Sequence, residues 1–387
     1  MGVPKLRFKA DDGSDFPDWT FRTFGSVVEE FNDRTTTENE DVLLSCAIDG
    51  MYLNSEFFGH QRGASNIGYK KITKGALILS MQNLHLGNAN VNTRFEHGIV
   101  SPAYKTFHIV GCLTEFMSAW VKRHAARKFF YDATTVGASQ CRRNVDWEEL
   151  YQQTIAVPSP SEQRKIADLL SAIDDVIAAQ EAEVAAWEKR KKGVMQKLFS
   201  QEVRFKADDG SDFPDWEEKT LGDICMYERQ RSEGANFVGT ENMLKDFGGV
   251  TFDNSNADDS GTLYHPGDTL MSNIRPYLKK AWLADRKGTC STDVLVFHPT
   301  SVEPGYLYWL IASDAFVRYV MSAAKGSKMP RGDKKHIMEM PLLLPNKDEQ
   351  RKIDDCLSSL NDVIIKAKNE LAKWQELKKG LLQQMFV

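Results

Sequence analysis

Long apolar runs are missing from this 387-residue chain: no stretch approaches the ~18 uncharged residues of a membrane-spanning helix. Its start, MGVPKLRFKADD, has no apolar core flanked by a small-residue cleavage site, so a soluble protein of the cytoplasm is expected. Cysteine is sparse. The six residues Cys46, Cys112, Cys141, Cys225, Cys290 and Cys356 are scattered, with no C-x-x-C pair and none at ligand spacing beside a histidine. They read as reduced structural residues, and no metal site is expected. No G-x-x-x-x-G-K-[ST] phosphate loop, H-E-x-x-H helix or G-x-S-x-G elbow occurs. ATP hydrolysis and metal-assisted hydrolysis therefore have no visible machinery. Nor is there an excess of basic charge: the net charge is −5. That argues against a polyanionic partner only if charge is evenly spread.

What is present is a core-forming composition, 42% hydrophobic and 10% aromatic, on a chain long enough for two or three domains. It also contains repeats. RFKADDGSDFPDW occurs at Arg7–Trp19 and again, identically, at Arg204–Trp216. Gly13 and Pro17, like Gly210 and Pro214, break regular structure, so each copy reads as a turn with its tryptophan packed inward.

A second pair of segments, Pro158–Ser200 and Pro345–Val387, aligns without gaps and shares EQRKI, Trp187 with Trp374, and KKG. Each reads as a long helix. Ser159 and Asn346 are N-cap candidates, and Glu162 and Glu349, three residues on, complete capping boxes. Ile166, Leu170, Ile173, Ile177, Val184 and Trp187 step by fours and threes or their sums, and Ile353, Leu357, Leu360, Ile364, Leu371 and Trp374 keep the same register. These are heptad seams, and matched length favours pairing of the two helices as a coiled coil over packing of each on its own domain. Roughly 38 residues at 1.5 Å each give a rod of about 57 Å. If 201–344 folds compactly, its exit lies near its entry and the second helix returns antiparallel, giving an approximate two-fold relation between halves.

The regions between the helices are alike in size but barely alike in sequence. KGALILS at Lys74–Ser80 resembles PGDTLMS at Pro266–Ser272, and GIVSPAYKTFH at Gly98–His108 aligns with GTCSTDVLVFH at Gly288–His298. Short alternating strands with two helical stretches make each a mixed α+β domain. Charge is sorted similarly in both. Residues 1–56 hold 5 Lys/Arg against 12 Asp/Glu and 57–145 hold 12 against 3; 202–268 hold 6 against 16 and 269–338 hold 11 against 5. A single charge run is usually a solvated face. Two at equivalent places, interleaved with amides and tyrosines, point to a nucleic acid.

Three look-alikes carry nothing. NIRPY at Asn273–Tyr277 looks like an amino-methyltransferase N-P-P-Y tetrapeptide, but the insertion misplaces the asparagine and no glycine-rich cofactor loop accompanies it. PDWEEK at Pro214–Lys219 contains acids and a lysine in nuclease style, yet its paired copy reads PDWTFR. RGD at Arg331–Asp333 is a chance tripeptide.

A helix opening with P-x-x-x-E-Q-R-K-I and ending near K-K-G, present twice and each time after about 150 residues, resembles the specificity (S) subunit of type I restriction-modification systems. GASQCRRNVDWEELYQQTIAVP (Gly137–Pro158) and GSKMPRGDKKHIMEMPLLLP (Gly326–Pro345) precede the two helices in matching positions. The resemblance implies a first target recognition domain at 1–157, a central conserved-region helix at 158–200, a second recognition domain at 201–344 and a terminal helix at 345–387. It also implies a non-catalytic subunit whose two domains each read part of a split, asymmetric double-stranded DNA site in the major groove. The helices would space them and bind two methyltransferase (M) subunits, which carry S-adenosylmethionine. Two restriction (R) subunits, which use ATP and magnesium, could join. This chain itself would need no cofactor.

Recognition domains are the variable part of such proteins, so reading residues must be chosen by chemistry. Polar and basic residues of the basic portions are the candidates: Arg62, Lys70, Lys71, Gln82, Asn83, Asn92, Arg94, Lys105, Gln140, Arg142 and Arg143 in the first domain, and Asn273, Arg275, Tyr277, Lys279, Lys280, Lys328, Arg331, Lys334 and Lys335 in the second. Two other readings stay open on the residues alone: a stand-alone DNA methyltransferase or nuclease, and a coiled-coil scaffold that never touches DNA.

Overall fold

A computed structural model describes residues 4–59, 65–139, 142–234, 236–252 and 260–386. The chain divides into two compact units, one of residues 1–182 with 368–387 and one of residues 183–367. Both long helices, Pro160–Phe199 and Lys347–Gln384, contribute a part to each unit.

The first unit is built on a four-stranded antiparallel sheet in the order Val28–Phe31, Tyr104–Ile109, Leu77–Ser80, Ala89–Val91. The second repeats that order with Cys225–Tyr227, Val294–Pro299, Thr269–Ser272 and Ala281–Leu283. The similar sequences KGALILS and PGDTLMS thus contain equivalent interior strands, each ending in a buried serine, Ser80 or Ser272. Each strand is buried along its whole length, because two helices cover the sheet: Thr114–Lys122 and His124–Asp132 in the first unit, Pro304–Ile311 and Asp314–Ser322 in the second. Phe116, Trp120 and Phe130 fill one core, Tyr306, Leu307 and Phe316 the other.

The long helices enter these cores. Ile166 and Leu170 join the first, together with Leu382, Met385 and Phe386 from the end of the other helix; Ile353 and Leu357 join the second with Met195 and Leu198. Within each unit the start of one helix therefore meets the end of the other. Lys378 Nζ donates to Asp174 at 2.5 Å in the first unit, and Lys191 Nζ to Asn361 at 2.9 Å in the second. Of the remaining seam positions Ile173, Val184 and Ile364 are buried, while Ile177, Trp187, Leu360, Leu371 and Trp374 are half-buried. Trp187 Nε1 donates to Glu183 on its own helix.

The identical tracts form the joint where helices meet domain. Arg7 reaches the wholly buried Glu162 carboxylate through Nε (3.0 Å) and Nη2 (2.8 Å), and Trp19 Nε1 donates to the same group at 3.2 Å. The second copy repeats this: Arg204 Nε and Nη2 donate to Glu349 at 3.0 and 2.7 Å, and Trp216 Nε1 at 2.9 Å. Each arginine also donates to a carbonyl of its own tract, Pro17 O or Pro214 O, at 2.7 Å. A buried carboxylate must be paired and fully hydrogen-bonded, and this arrangement supplies both conditions. The expected capping boxes are therefore only half made. Ser159 and Asn346 do accept from the Glu162 and Glu349 backbone N–H groups, but both carboxylates turn to the tract rather than back to the cap.

The rest of the EQRKI motif has matching duties. Gln163 Nε2 donates to Pro158 O while its Oε1 accepts from Leu113 N, just before a sheet-covering helix; Gln350 does the same with Pro345 O and Glu303 N. Lys165 and Lys352 bind Asp11 and Asp208 of the tracts, each at 2.5 Å. In the first unit Leu6 N also donates to Gln384 O at 3.0 Å, so its tract touches the start of one helix and the end of the other.

Candidate nucleic-acid interface

Two segments are topologically equivalent in the units and hold most of the candidates that remain outward. One is the loop after the interior strand, which carries a short 3-10 turn, Leu84–Leu86 or Pro276–Leu278. The other follows the second covering helix: the hairpin Thr134–Ser139/Arg142–Val145 in the first unit, and the turn closed by Lys325 and Arg331 in the second.

In the first unit Gln82 and Asn83 are exposed on the loop. Burial first, then the charges of Arg143 and Arg127, hold the His85 pKa below its ordinary value, so a neutral imidazole and two guanidinium groups share one patch. Arg143 is fixed: Nε donates to Thr134 Oγ1 at 2.6 Å, Nη2 to Thr134 O at 2.5 Å, and the guanidinium lies 4.1 Å from the centre of the Tyr131 ring. Arg127, His85 and Thr134 were missed in the sequence. Arg127 sits in a helical segment with no amide pattern, His85 is neither an amide nor a fixed charge, and Thr134 acts through Arg143.

Other first-domain candidates are placed differently. Asn92 is wholly buried, its amide donating to Thr73 O and Phe95 O, so a base-reading role is withdrawn for it. Lys70 is 4% exposed, and burial lowers its pKa. Lys71, Arg94 and Lys105 each pair with an acid of the chain's acidic beginning: Glu40, Glu56 at 3.5 Å and Glu30 at 2.7 Å. Lys105 also lies over the Trp147 ring. Segregation of charge along this half of the sequence is thus partly undone by folding. Arg62, Gln140 and the side chain of Arg142 lie outside the described residues.

The second unit concentrates its candidates. Arg275 N donates to Pro330 O at 2.8 Å and Asn273 N to Asp293 O at 2.7 Å, drawing the loop and the turn together. Arg275 and Lys279 both take left-handed backbone, φ 51° and 54°, on either side of the 3-10 turn. Non-glycine residues adopt that conformation only when their surroundings impose it. Asn273 Oδ1 and Arg275 Nε are buried with no hydrogen-bond partner among the described residues. Tyr277 is 48% exposed. Lys279 Nζ and Lys192 Nζ of the first long helix hold Asp314 between them, each at 2.7 Å, and these two hydrogen bonds lower the Asp314 pKa. Lys280 Nζ donates to Thr240 O. Arg331 meets Asp293 side-on, Nε to Oδ1 at 3.2 Å and Nη2 to Oδ2 at 3.4 Å. Lys328 is exposed, and Lys334 and Lys335 line a cleft of about 720 Å³ with Tyr227, Glu228 and Glu339.

Asp333 caps the helix Lys334–Met338 and binds Lys325; those hydrogen bonds, that of Lys325 foremost, pull its pKa down to about 2. No cluster of three potential metal ligands occurs among the described residues, and no described helix is long and apolar enough to cross a membrane. Cys46, Cys112, Cys225, Cys290 and Cys356 are free thiols; Cys141 lies outside the described residues.

Residues 214–374 match the family described as the type I restriction modification DNA specificity domain. Over residues 214–374 the chain is thus similar to the type I restriction-modification specificity family. The specificity subunit of the type I restriction enzyme EcoDI of Escherichia coli is 24% identical over 127 residues, 32% of this chain and 28% of that protein. That of MjaVIII of Methanocaldococcus jannaschii is 22% identical over 269 residues, 60% and 62% of the two. The chain thus spans less than two thirds of the length of these curated specificity subunits. Among solved structures, the type I restriction-modification S subunit from M. genitalium matches 100% of this chain and 99% of its own, with TM-score 0.58 and 14% identity. A chain from work on complex assembly and conformational transition of the type I R-M system matches 96% and 98%, with TM-score 0.55 and 17% identity. At those identities the two structures establish the fold of the specificity chain alone.

Proposed function

We propose that this chain is the non-catalytic, DNA-sequence-reading subunit of a type I restriction-modification complex acting in the cytoplasm. Its two target recognition domains each read one part of a split, asymmetric duplex site. The long helices pair as an antiparallel coiled coil that spaces the readers and carries two M subunits, which bring S-adenosylmethionine; two ATP- and magnesium-dependent R subunits can join. One observation carries the reading. A single strand order and a single joint occur twice, while the loops at equivalent positions differ in nearly every side chain, as expected when two readers of one design serve different bases.

The exposed interface residues Gln82, Asn83, Tyr277, Lys328 and Arg331, with half-buried Arg143 and Arg275, combine amides and arginines suited to base edges with lysine suited to phosphate. Mapping methylated adenines in DNA from cells carrying this chain with its M partner tests the proposal. A split motif with one modified adenine in each half supports it. One continuous motif, or no motif dependent on this chain, refutes it.

A further inference from the structure

Arg143 and Arg331 lie at topologically equivalent places, each on the segment that follows the second covering helix of its unit. Both are held by the same edge. An arginine has two forks of N–H donors, a side-on pair made by Nε and Nη2 and an end-on pair made by Nη1 and the second hydrogen of Nη2. In Arg143 the side-on fork is spent on the hydroxyl and carbonyl of Thr134, at 2.6 and 2.5 Å. In Arg331 it is spent on the two carboxylate oxygens of Asp293, at 3.2 and 3.4 Å. Each group is stiffened further, Arg143 by the Tyr131 ring 4.1 Å from its Cζ, Arg331 by a reciprocal backbone pair with Lys325 at 2.9 Å in both directions.

We infer that Arg143 and Arg331 are a matched pair of guanine readers, one per domain, each presenting its end-on fork to the O6 and N7 acceptors of one guanine in the major groove. The inference rests on the proposed DNA-reading function. A fixed fork with one edge that no described residue holds suits a planar pair of acceptors at fixed separation, and guanine is the base that presents two acceptors there. Phosphate is the poorer ligand for Arg331, because the Asp293 carboxylate that holds the guanidinium would repel a phosphate while leaving a neutral base edge unopposed. Thr134 and Asp293 are then positioning residues, setting where the fork points without touching DNA.

The test selects bound duplexes from a randomised double-stranded pool, using the full chain co-purified with the M subunit of its own system. The wild type is expected to select a split sequence with a required G·C pair in each half. Arg143→Lys keeps the charge but loses the fork. It should lower the preference for that guanine about 10- to 100-fold in one half only, and Arg331→Lys should do so in the other half. Thr134→Val and Asp293→Asn should each give a weaker version of the matching lysine variant. The salt dependence of binding should stay unchanged in both lysine variants, and unchanged thermal unfolding midpoints check that they fold. Variants that select the wild-type sequence overturn the inference while leaving the proposed function standing. So does uniform weakening on all sequences with no change of preferred base, the mark of a phosphate contact. A wild-type complex that selects no split sequence removes the proposed function and this inference with it.

Discussion

The two joints and the two loops that follow the interior strands make opposite use of the same duplicated frame. At the joints, corresponding hydrogen bonds differ most for the tryptophans, 3.2 Å from Trp19 and 2.9 Å from Trp216, and every partner is the same residue type. At the loops, Gln82 and Asn83 stand beside a histidine and two arginines in one unit, while the other has left-handed Arg275 and Lys279, a buried Asn273 and a doubly paired Asp314. Sequence identity therefore marks the part of the domain that must meet an invariant element, the helix start. Variation marks the part free to meet something else.

The largest effect is expected at the joints. Glu162→Ala and Glu349→Ala each leave an arginine and an indole N–H without their buried partner, and each should cost about 3 kcal/mol in urea unfolding of its own unit. Unequal losses would break the equivalence of the joints. Next comes a difference between the cores. Lys122, half-buried and donating to Asn90 Oδ1 and the Ile48 carbonyl, has its pKa lowered by desolvation to about 8. The unfolded chain holds that proton up to about 10.5, so between these values it binds more protons than the folded unit, and stability rises with pH. The first unit should gain about 2 kcal/mol across that window, and Lys122→Met should flatten the slope in pH-dependent unfolding.

The loops come third. A Cβ on Gly332 would sit 2.7 Å from Val320 Cγ1 and 2.9 Å from Asn273 Oδ1, so Gly332→Ala should cost about 2 kcal/mol and disturb the loop of the second unit only. Gly87 has φ 93°, and its added Cβ would meet only Arg127, at 3.9 Å. Gly87→Ala should cost about 1 kcal/mol, from backbone strain alone. Smallest are the helix caps. Asn346→Ala, which removes a 2.9 Å bond, should cost about 1 kcal/mol, and Ser159→Ala, which removes one of 3.4 Å, only a few tenths.

Much of this frame was legible in the sequence, because repeats and periodicity report local structure directly. The alignment of KGALILS with PGDTLMS picks out equivalent strands, and RFKADDGSDFPDW reads as a turn whose tryptophan packs inward. Partners distant along the chain were not legible. Glu162 looks like half of a capping box until Arg7, 155 residues away, is brought to it. Asn92 is indistinguishable in sequence from exposed Asn83, yet strand register sends it inward against Thr73 and Phe95. The pairing of Lys71, Arg94 and Lys105 with acids of the first 56 residues is likewise invisible to a count of charges by segment.

The division of the chain also orders its birth. Residues 183–367 are contiguous, so once they have left the ribosome every side chain of the second unit is present and its joint can close. The first unit is begun earlier but lacks Leu382, Met385 and Phe386, which complete its core, until residues 368–387 have been made. At about 5 to 20 residues per second, the roughly 200 residues from 183 onward would take some ten to forty seconds to add. During that interval Ile166 and Leu170 have no helix end to cover them, so the half synthesised first is the half that needs protection from aggregation longest.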